Sequence, residues 1–221
     1  MILYCVRHGE SVYNAQRRIQ GQSDVPLSTL GRGQSRMVAA ALARLPIDVV
    51  YGSPLSRALE TARLVAKALK LEVRIDERLQ EINAGIFQGL RFDEIDELHP
   101  SEAARWRAQD PDFVIPGGES RRQLMTRGLV AFEEIHAAGH AQVAVVAHGG
   151  ILAAALKALL EIPAARNPFN LYNASITRLE WGQRIRLLTL NETGHLHEAG
   201  EGMPDGVGDL WPIDEPVDRS S

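Results

Sequence analysis

Four short runs of nearly unbroken apolarity punctuate the chain, at residues 2–6, 47–51, 73–75 and 143–147. Continuous rather than alternating apolarity suits strands buried on both faces, as in the middle of a parallel sheet. Helical spacing fills the gaps between them. Residues 28–44 carry Leu30, Val38, Ala41 and Leu42, continued by Leu45, behind Ser28 as an N-cap. Residues 54–70 place Leu55, Leu59, Ala62, Val65 and Leu69 on one face, with Ser53-Pro54 read as a cap followed by proline at the first helical position. A third helix over about 119–138 carries Leu124, Leu129, Phe132 and Ile135, and a fourth follows Gly149-Gly150. Residues 174–180 and 184–190 flank Gly182-Gln183 and read as an antiparallel hairpin.

Strands alternating with helices predict an α/β fold, a three-layer α/β/α sandwich with a mostly parallel mixed sheet. Residues 84–118 show neither a strand nor a sustained apolar helix and read as a small helical cap inserted beside the core. From Asn191 onward Gly, Asp, Glu and Pro dominate, so the end of the chain is expected to be loop, with a flexible tail at about 199–221. With 221 residues, one domain spanning 1–221 accommodates all of this.

Composition then narrows the function classes. A net charge of -4 gives no reason to expect a nucleic-acid partner. No apolar stretch approaches the roughly 20 residues of a membrane span, and no leader-like segment opens the chain, so the expected location is cytoplasmic. The single cysteine, Cys5, lies in the first apolar run and reads as a small buried residue. An exposed edge strand could support a homodimer.

The chemistry concentrates where the strands end. Ligands of open α/β sheets bind outside the carboxyl ends of the strands. After the first run comes Arg7-His8-Gly9-Glu10, and after the second Gly52-Ser53-Pro54-Leu55-Ser56-Arg57. After the third comes Leu79-Gln80-Glu81, and after the fourth Ala147-His148-Gly149-Gly150. Histidines, arginines and one carboxylate thus converge on one edge. Arginine forks fit phosphate oxygens, and a neutral histidine is available as a nucleophile near pH 7. Arg7 and Arg57 are read as phosphate holders, with His148, if protonated, as a third positive donor. Backbone N–H groups after Gly149 open a helix and offer an anion site. His8 is the expected nucleophile and Glu81 the expected proton donor. Arginines and histidines supply the positive charge in this reading, so no metal or cofactor is called for.

The pattern resembles the histidine phosphatase superfamily, the phosphoglycerate mutase-like proteins, along nearly the whole chain. The resemblance is carried by Arg7-His8-Gly9-Glu10-Ser11 with Asn14, by Gln20-Gly21 and by Pro26-Leu27-Ser28. Ser53 to Ala62, Leu79 to Gly85 with Gly89, Gly117-Gly118-Glu119-Ser120 and Ala147-His148-Gly149-Gly150 complete it. It implies a phosphohistidine on His8, Glu81 as donor, and a phosphate pocket of Arg7, Arg57 and His148. Asn14 would join that pocket, Gln20 would line the entrance, and Gly21 and Gly149 would belong to the binding residues.

The short insertion after Glu81 and the sequence Glu81-Ile82-Asn83-Ala84-Gly85 look like the phosphatase branch, whose substrates are small phosphorylated metabolites. A cofactor-dependent mutase is the alternative, and a silent ligand-binding relative ranks below it because His8 and Glu81 are both present. A dinucleotide-binding module is disfavoured, since no G-x-G-x-x-G follows the first strand. His195 and His197 lack further ligands and read as exposed tail residues rather than a metal site. Trp106, Phe113, Arg121 and Arg122 could read the substrate or simply pack the cap.

Overall fold

The computed structural model describes residues 1–197, so the tail expected at 199–221 lies outside the described residues. The strands are β1 (Ile2–Arg7), β2 (Val49–Gly52), β3 (Val73–Ile75), β4 (Gln142–Ala147), β5 (Ile176–Trp181) and β6 (Ile185–Glu192). They form one sheet in the order β3-β2-β4-β1-β5-β6. The first four strands of that order run parallel, and β5 and β6 join as an antiparallel hairpin at the other side. The helices are α1 (Val12–Ala15), α2 (Thr29–Leu42), α3 (Ser56–Leu69), α4 (Phe92–Leu98), α5 (Pro100–Arg107), α6 (Arg121–Ala137), α7 (Gly149–Leu159) and α8 (Gly194–His197).

Side chains of a strand alternate between the faces of a sheet, and here both faces are covered. Leu3, Cys5, Val49, Val143 and Val145 pack against Leu124, Phe132, Ile151, Leu152 and Leu156 of α6 and α7. Tyr4, Val6, Val50, Ala144 and Val146 pack against Val38, Leu42, Ala62 and Val65 of α2 and α3. This explains the unbroken apolar runs: consecutive residues serve opposite cores. Slipping a strand by one residue would exchange the two sets, so register is strongly specified. Cys5 is buried as expected, and burial pushes its thiol up to about 12.

Ser28 caps α2, accepting from the Gly31 N–H at 2.9 Å. Two local readings are corrected. Leu30 is exposed, because the buried face of α2 runs through Gly31, Gln34, Ser35, Val38, Ala39 and Leu42. Ser53 does not cap α3, which begins at Ser56 after Leu55. The Ser56 N–H is instead met at 2.8 Å by Asp24, from a different loop.

Residues 84–118 comprise a one-turn helix at Gly85–Phe87, then α4 and α5. Their apolar residues, Phe87, Ile95, Trp106, Phe113 and Ile115, join the α6–α7 core. Residues 191–197 are more ordered than their composition implied. β6 continues to Glu192, and α8 follows and packs against α2. No helix among the described residues is long and apolar enough to cross a membrane.

Candidate active site

Sheet register builds the centre of the site. Arg7 on β1 pairs with Ala147 on the parallel neighbour β4, and the His8 N–H bonds the Ala147 carbonyl at 3.0 Å. His8 and His148 are therefore equivalent positions on adjacent strands, which run about 4.8 Å apart. Their ring centroids lie 5.0 Å apart, edge to face at 64°. One strand further over, the Ser53 N–H bonds the Val146 carbonyl at 3.1 Å. That places the Ser53 hydroxyl 2.8 Å from His148 Nε2. Ser53 is thus spent beneath a histidine rather than on a helix end.

Protonation follows from surroundings. Both rings are fully buried, and burial together with the Arg57 and Arg7 charges holds each well below the usual histidine range. His8 Nδ1 lies 2.6 Å from the Gly9 carbonyl, an acceptor, so Nδ1 carries the hydrogen and Nε2 the lone pair. Arg57 Nε donates to that Nε2 at 3.3 Å. His148 is likewise neutral in the protein alone, so the third positive donor anticipated there requires a bound anion to charge it.

The arginines are held by carbonyl oxygens. Arg57 donates to the Ser23 carbonyl at 2.9 Å and to that of Gly21 at 2.7 Å, and Arg7 donates to that of Leu171 at 2.6 Å. Both guanidinium groups are essentially fully buried, where an ion is tolerated only with such bonds. Gly21 adopts φ +52°, a left-handed conformation suited to glycine, and a Cβ there would overlap Gln88. Gly149 packs its Cα side against the Arg7 guanidinium.

Glu81 is buried and sits on the first turn of α7. Its Oε2 accepts from the Gly150 N–H at 2.8 Å, and Oε1 from those of Ile151 at 3.0 Å and Ile82 at 2.8 Å. The anion site foreseen at the start of this helix is therefore already occupied, by a carboxylate of the chain itself. Gly150 is what lets the acid approach, because a Cβ there would overlap Glu81 Oε1.

Asn14 and Gln20 converge on Ser11, whose Oγ lies 3.0 Å from Asn14 Oδ1 and 2.6 Å from Gln20 Oε1. Gln20 is buried rather than displayed at an entrance. Asn173, which sequence reasoning missed, donates to Asn14 Oδ1 at 3.1 Å and to the His8 carbonyl at 3.2 Å. It lies between strands, in a loop with no periodic signal. Thr61 was likewise overlooked: its hydroxyl accepts the Gly9 N–H at 3.3 Å and donates to the Arg57 carbonyl at 2.9 Å.

The cap residues resolve towards packing. The Arg121 guanidinium lies 3.4 Å above the buried Trp106 ring and donates to the Trp106 carbonyl, and Phe113 is buried. Arg122 pairs with Asp112 on the surface. His195 is not an exposed tail residue, since its Nε2 lies 2.9 Å from the Ala174 carbonyl. The His197 side chain lies outside what is described. Among the described residues, no group of three or more His, Cys, Asp or Glu side chains is placed to hold a metal ion.

Residues 3–193 match the model of the histidine phosphatase superfamily, branch 1. A probable phosphoglycerate mutase, GpmB, of Escherichia coli is 35% identical over 97% of this chain and 96% of its own. A mycobacterial glucosyl-3-phosphoglycerate phosphatase, solved with VO3, is 36% identical at a TM-score of 0.78, covering 87% of this chain and 99% of that one. The structure of a putative α-ribazole-5'-P phosphatase of E. coli K-12 is 26% identical at a TM-score of 0.80, covering 87% of this chain and 96% of that one. With its paired strand-end histidines, buried arginines and a family match running almost from end to end, the chain belongs to the histidine phosphatase superfamily.

Proposed function

We propose that this protein is a phosphomonoesterase that hydrolyses a small phosphorylated metabolite through a phosphohistidine on His8. The observation that carries the reading is the His8 tautomer: Nδ1–H is committed to the Gly9 carbonyl, and the Nε2 lone pair faces Arg57. A phosphoryl group arriving there replaces the Arg57–Nε2 contact and is held by Arg57, Arg7, Asn14 and His148. His148 takes up a proton as the anion's charge comes to balance the arginines. Nε2 attacks phosphorus and the ester P–O bond breaks, while Glu81, which takes up a proton as the negatively charged phosphate binds beside it, gives that proton to the leaving oxygen. Water then attacks the phosphohistidine, Glu81 recovers the proton, the P–N bond breaks, and phosphate leaves. Catalysis of this kind is chiefly positioned charge, supplied here by side chains without a metal.

Activity on p-nitrophenyl phosphate is expected to survive chelators and to fall by about 10³-fold or more in His8→Ala. Chelator-sensitive activity that persists in that variant would refute the route. The name of the E. coli relative supports a second reading, in which the phosphoryl group returns to a substrate hydroxyl rather than to water. Supplying 3-phosphoglycerate with 2,3-bisphosphoglycerate separates the two. Phosphate release is expected; rapid isomerisation with negligible phosphate would establish the mutase.

A further inference from the structure

The proton donor stands on the least regular stretch of the site. From Asp76 to Ala84 the chain forms one short helical turn, Glu77–Leu79, and no strand. The Asp76 and Glu77 carbonyls accept from Leu79 and Gln80 within that turn, but those that follow need partners that no sheet or helix ladder supplies. Arg127, in the second turn of α6, meets them. Its Nη1 donates to the Arg78 and Gln80 carbonyls, each at 2.7 Å, and its Nη2 to the Glu81 carbonyl at 3.2 Å. Nη2 also bonds Glu119 Oε1 at 2.5 Å.

Glu119 grips the far side of the acid. The same Oε1 accepts from the Asn83 N–H at 2.8 Å, and the Glu119 N–H donates to the Asn83 carbonyl at 2.9 Å. The glycines before it permit this contact: a Cβ on Gly118 would overlap the Asn83 carbonyl, and one on Gly85 would overlap that of Pro116. The motif Gly117-Gly118-Glu119-Ser120 has no other evident part in the site. One guanidinium and one carboxylate therefore span the backbone from residue 78 to residue 83, with Glu81 between. A lysine in place of Arg127 could serve only part of this set, because its donors radiate from one nitrogen instead of a planar fork.

We propose that Arg127, itself anchored by Glu119, is the positioning residue for Glu81, fixing the proton donor's backbone so that its carboxyl meets the leaving oxygen. This rests on the reading of Glu81 as the donor. It predicts a signature that general loosening of the fold would not produce. Loss of a well-placed acid penalises poor leaving groups and spares those needing little protonation. Misplacement by about 1 Å can cost on the order of 10²-fold.

The test compares glycerol 2-phosphate, an alkyl ester, with p-nitrophenyl phosphate in wild type, Arg127→Gln, Arg127→Lys, Glu119→Gln and Glu81→Gln. Arg127→Gln is expected to lose about 30-fold in kcat on the alkyl ester and about threefold on the aryl ester, with KM changed less than about twofold. Arg127→Lys should recover part of the loss, and Glu119→Gln should show the same bias more weakly. Adding Arg127→Gln to Glu81→Gln should cost little more, since both act through one group. Equal losses on both esters in Arg127→Gln, beside a biased Glu81→Gln, would overturn the positioning role alone. A flat Glu81→Gln profile would overturn the donor assignment and this inference with it. Should Arg127→Gln not yield folded protein, Glu119→Gln and Arg127→Lys carry the same comparison.

Discussion

The two ends of this site are constructed differently. At the phosphate end, His8, His148 and Ser53 each follow the last residue of one of three parallel strands, and their spacing is the spacing of the sheet. At the acid end, Glu81 rides on an irregular loop steadied by three backbone N–H groups, a remote arginine and a remote glutamate. Geometry inherited from a sheet shared with two cores resists local change. Geometry assembled from side-chain bonds is open to single substitutions. Changes at the acid end should therefore alter chemistry while leaving the fold intact, whereas changes at the phosphate end should register in stability as well.

The largest effect short of removing a reacting group is expected at Gly150. Alanine there would meet the Glu81 carboxylate, the movable end of a side chain, rather than backbone. The helix should persist while the acid is displaced. Turnover of an alkyl phosphate should fall about 10²-fold, with p-nitrophenyl phosphate losing much less and the thermal midpoint falling only by the few degrees that the displaced carboxylate's hydrogen bonds account for. A large fall in melting temperature with equal loss on both esters would break the comparison.

The phosphate end has a distinct pH signature. His8 and His148 are held well below 6.5 in the folded state by burial and nearby arginines. Below that ordinary value, an unfolded chain gains protons that the folded chain refuses. Stability is therefore complete above about pH 6.5 and declines as pH falls towards the folded-state values, by up to about 1.4 kcal/mol per pH unit for each histidine. Chemical denaturation at pH 7.5 and 5.5 should show that slope, reduced in His148→Asn. Identical slopes in the two proteins would remove His148 from the account.

The smallest of these effects is expected at Asn173, which links Asn14 to the His8 carbonyl. Asn173→Ala deletes one bond to a buried carbonyl and one to the partly buried Asn14 side chain, and should cost about 1–3 kcal/mol of stability. It should also raise KM for phosphomonoesters several-fold, without leaving-group bias. A biased loss would show that the two ends are coupled more closely than their construction implies.

The same contrast governs what the sequence disclosed. The strand-end residues were legible because apolar runs mark strands and ligands gather at their carboxyl ends. Arg7, His8, Arg57, Glu81 and His148 were all read on that rule. The supports of Glu81 were not, because Arg127 lies 46 residues further along and its bonds go to backbone carbonyls, which no side-chain pattern announces. Ser53 misled for a related reason. Ser-Pro before an apolar face has the form of a helix start, but the sheet brings that hydroxyl beneath His148 and the helix begins later. The cap evaded periodicity since its buried residues are spread over two short helices and the loops beside them.

The central claim is that His8 Nε2 carries the phosphoryl group between substrate and water. It is tested most directly by mixing the enzyme with a ³²P-labelled phosphomonoester, quenching in denaturant at alkaline pH, and locating the label by peptide mapping. The account predicts up to one phosphate per chain, stable to base and labile to acid, on His8 and absent from His8→Ala. Steady turnover with no trapped label, or label that persists in His8→Ala, would contradict it.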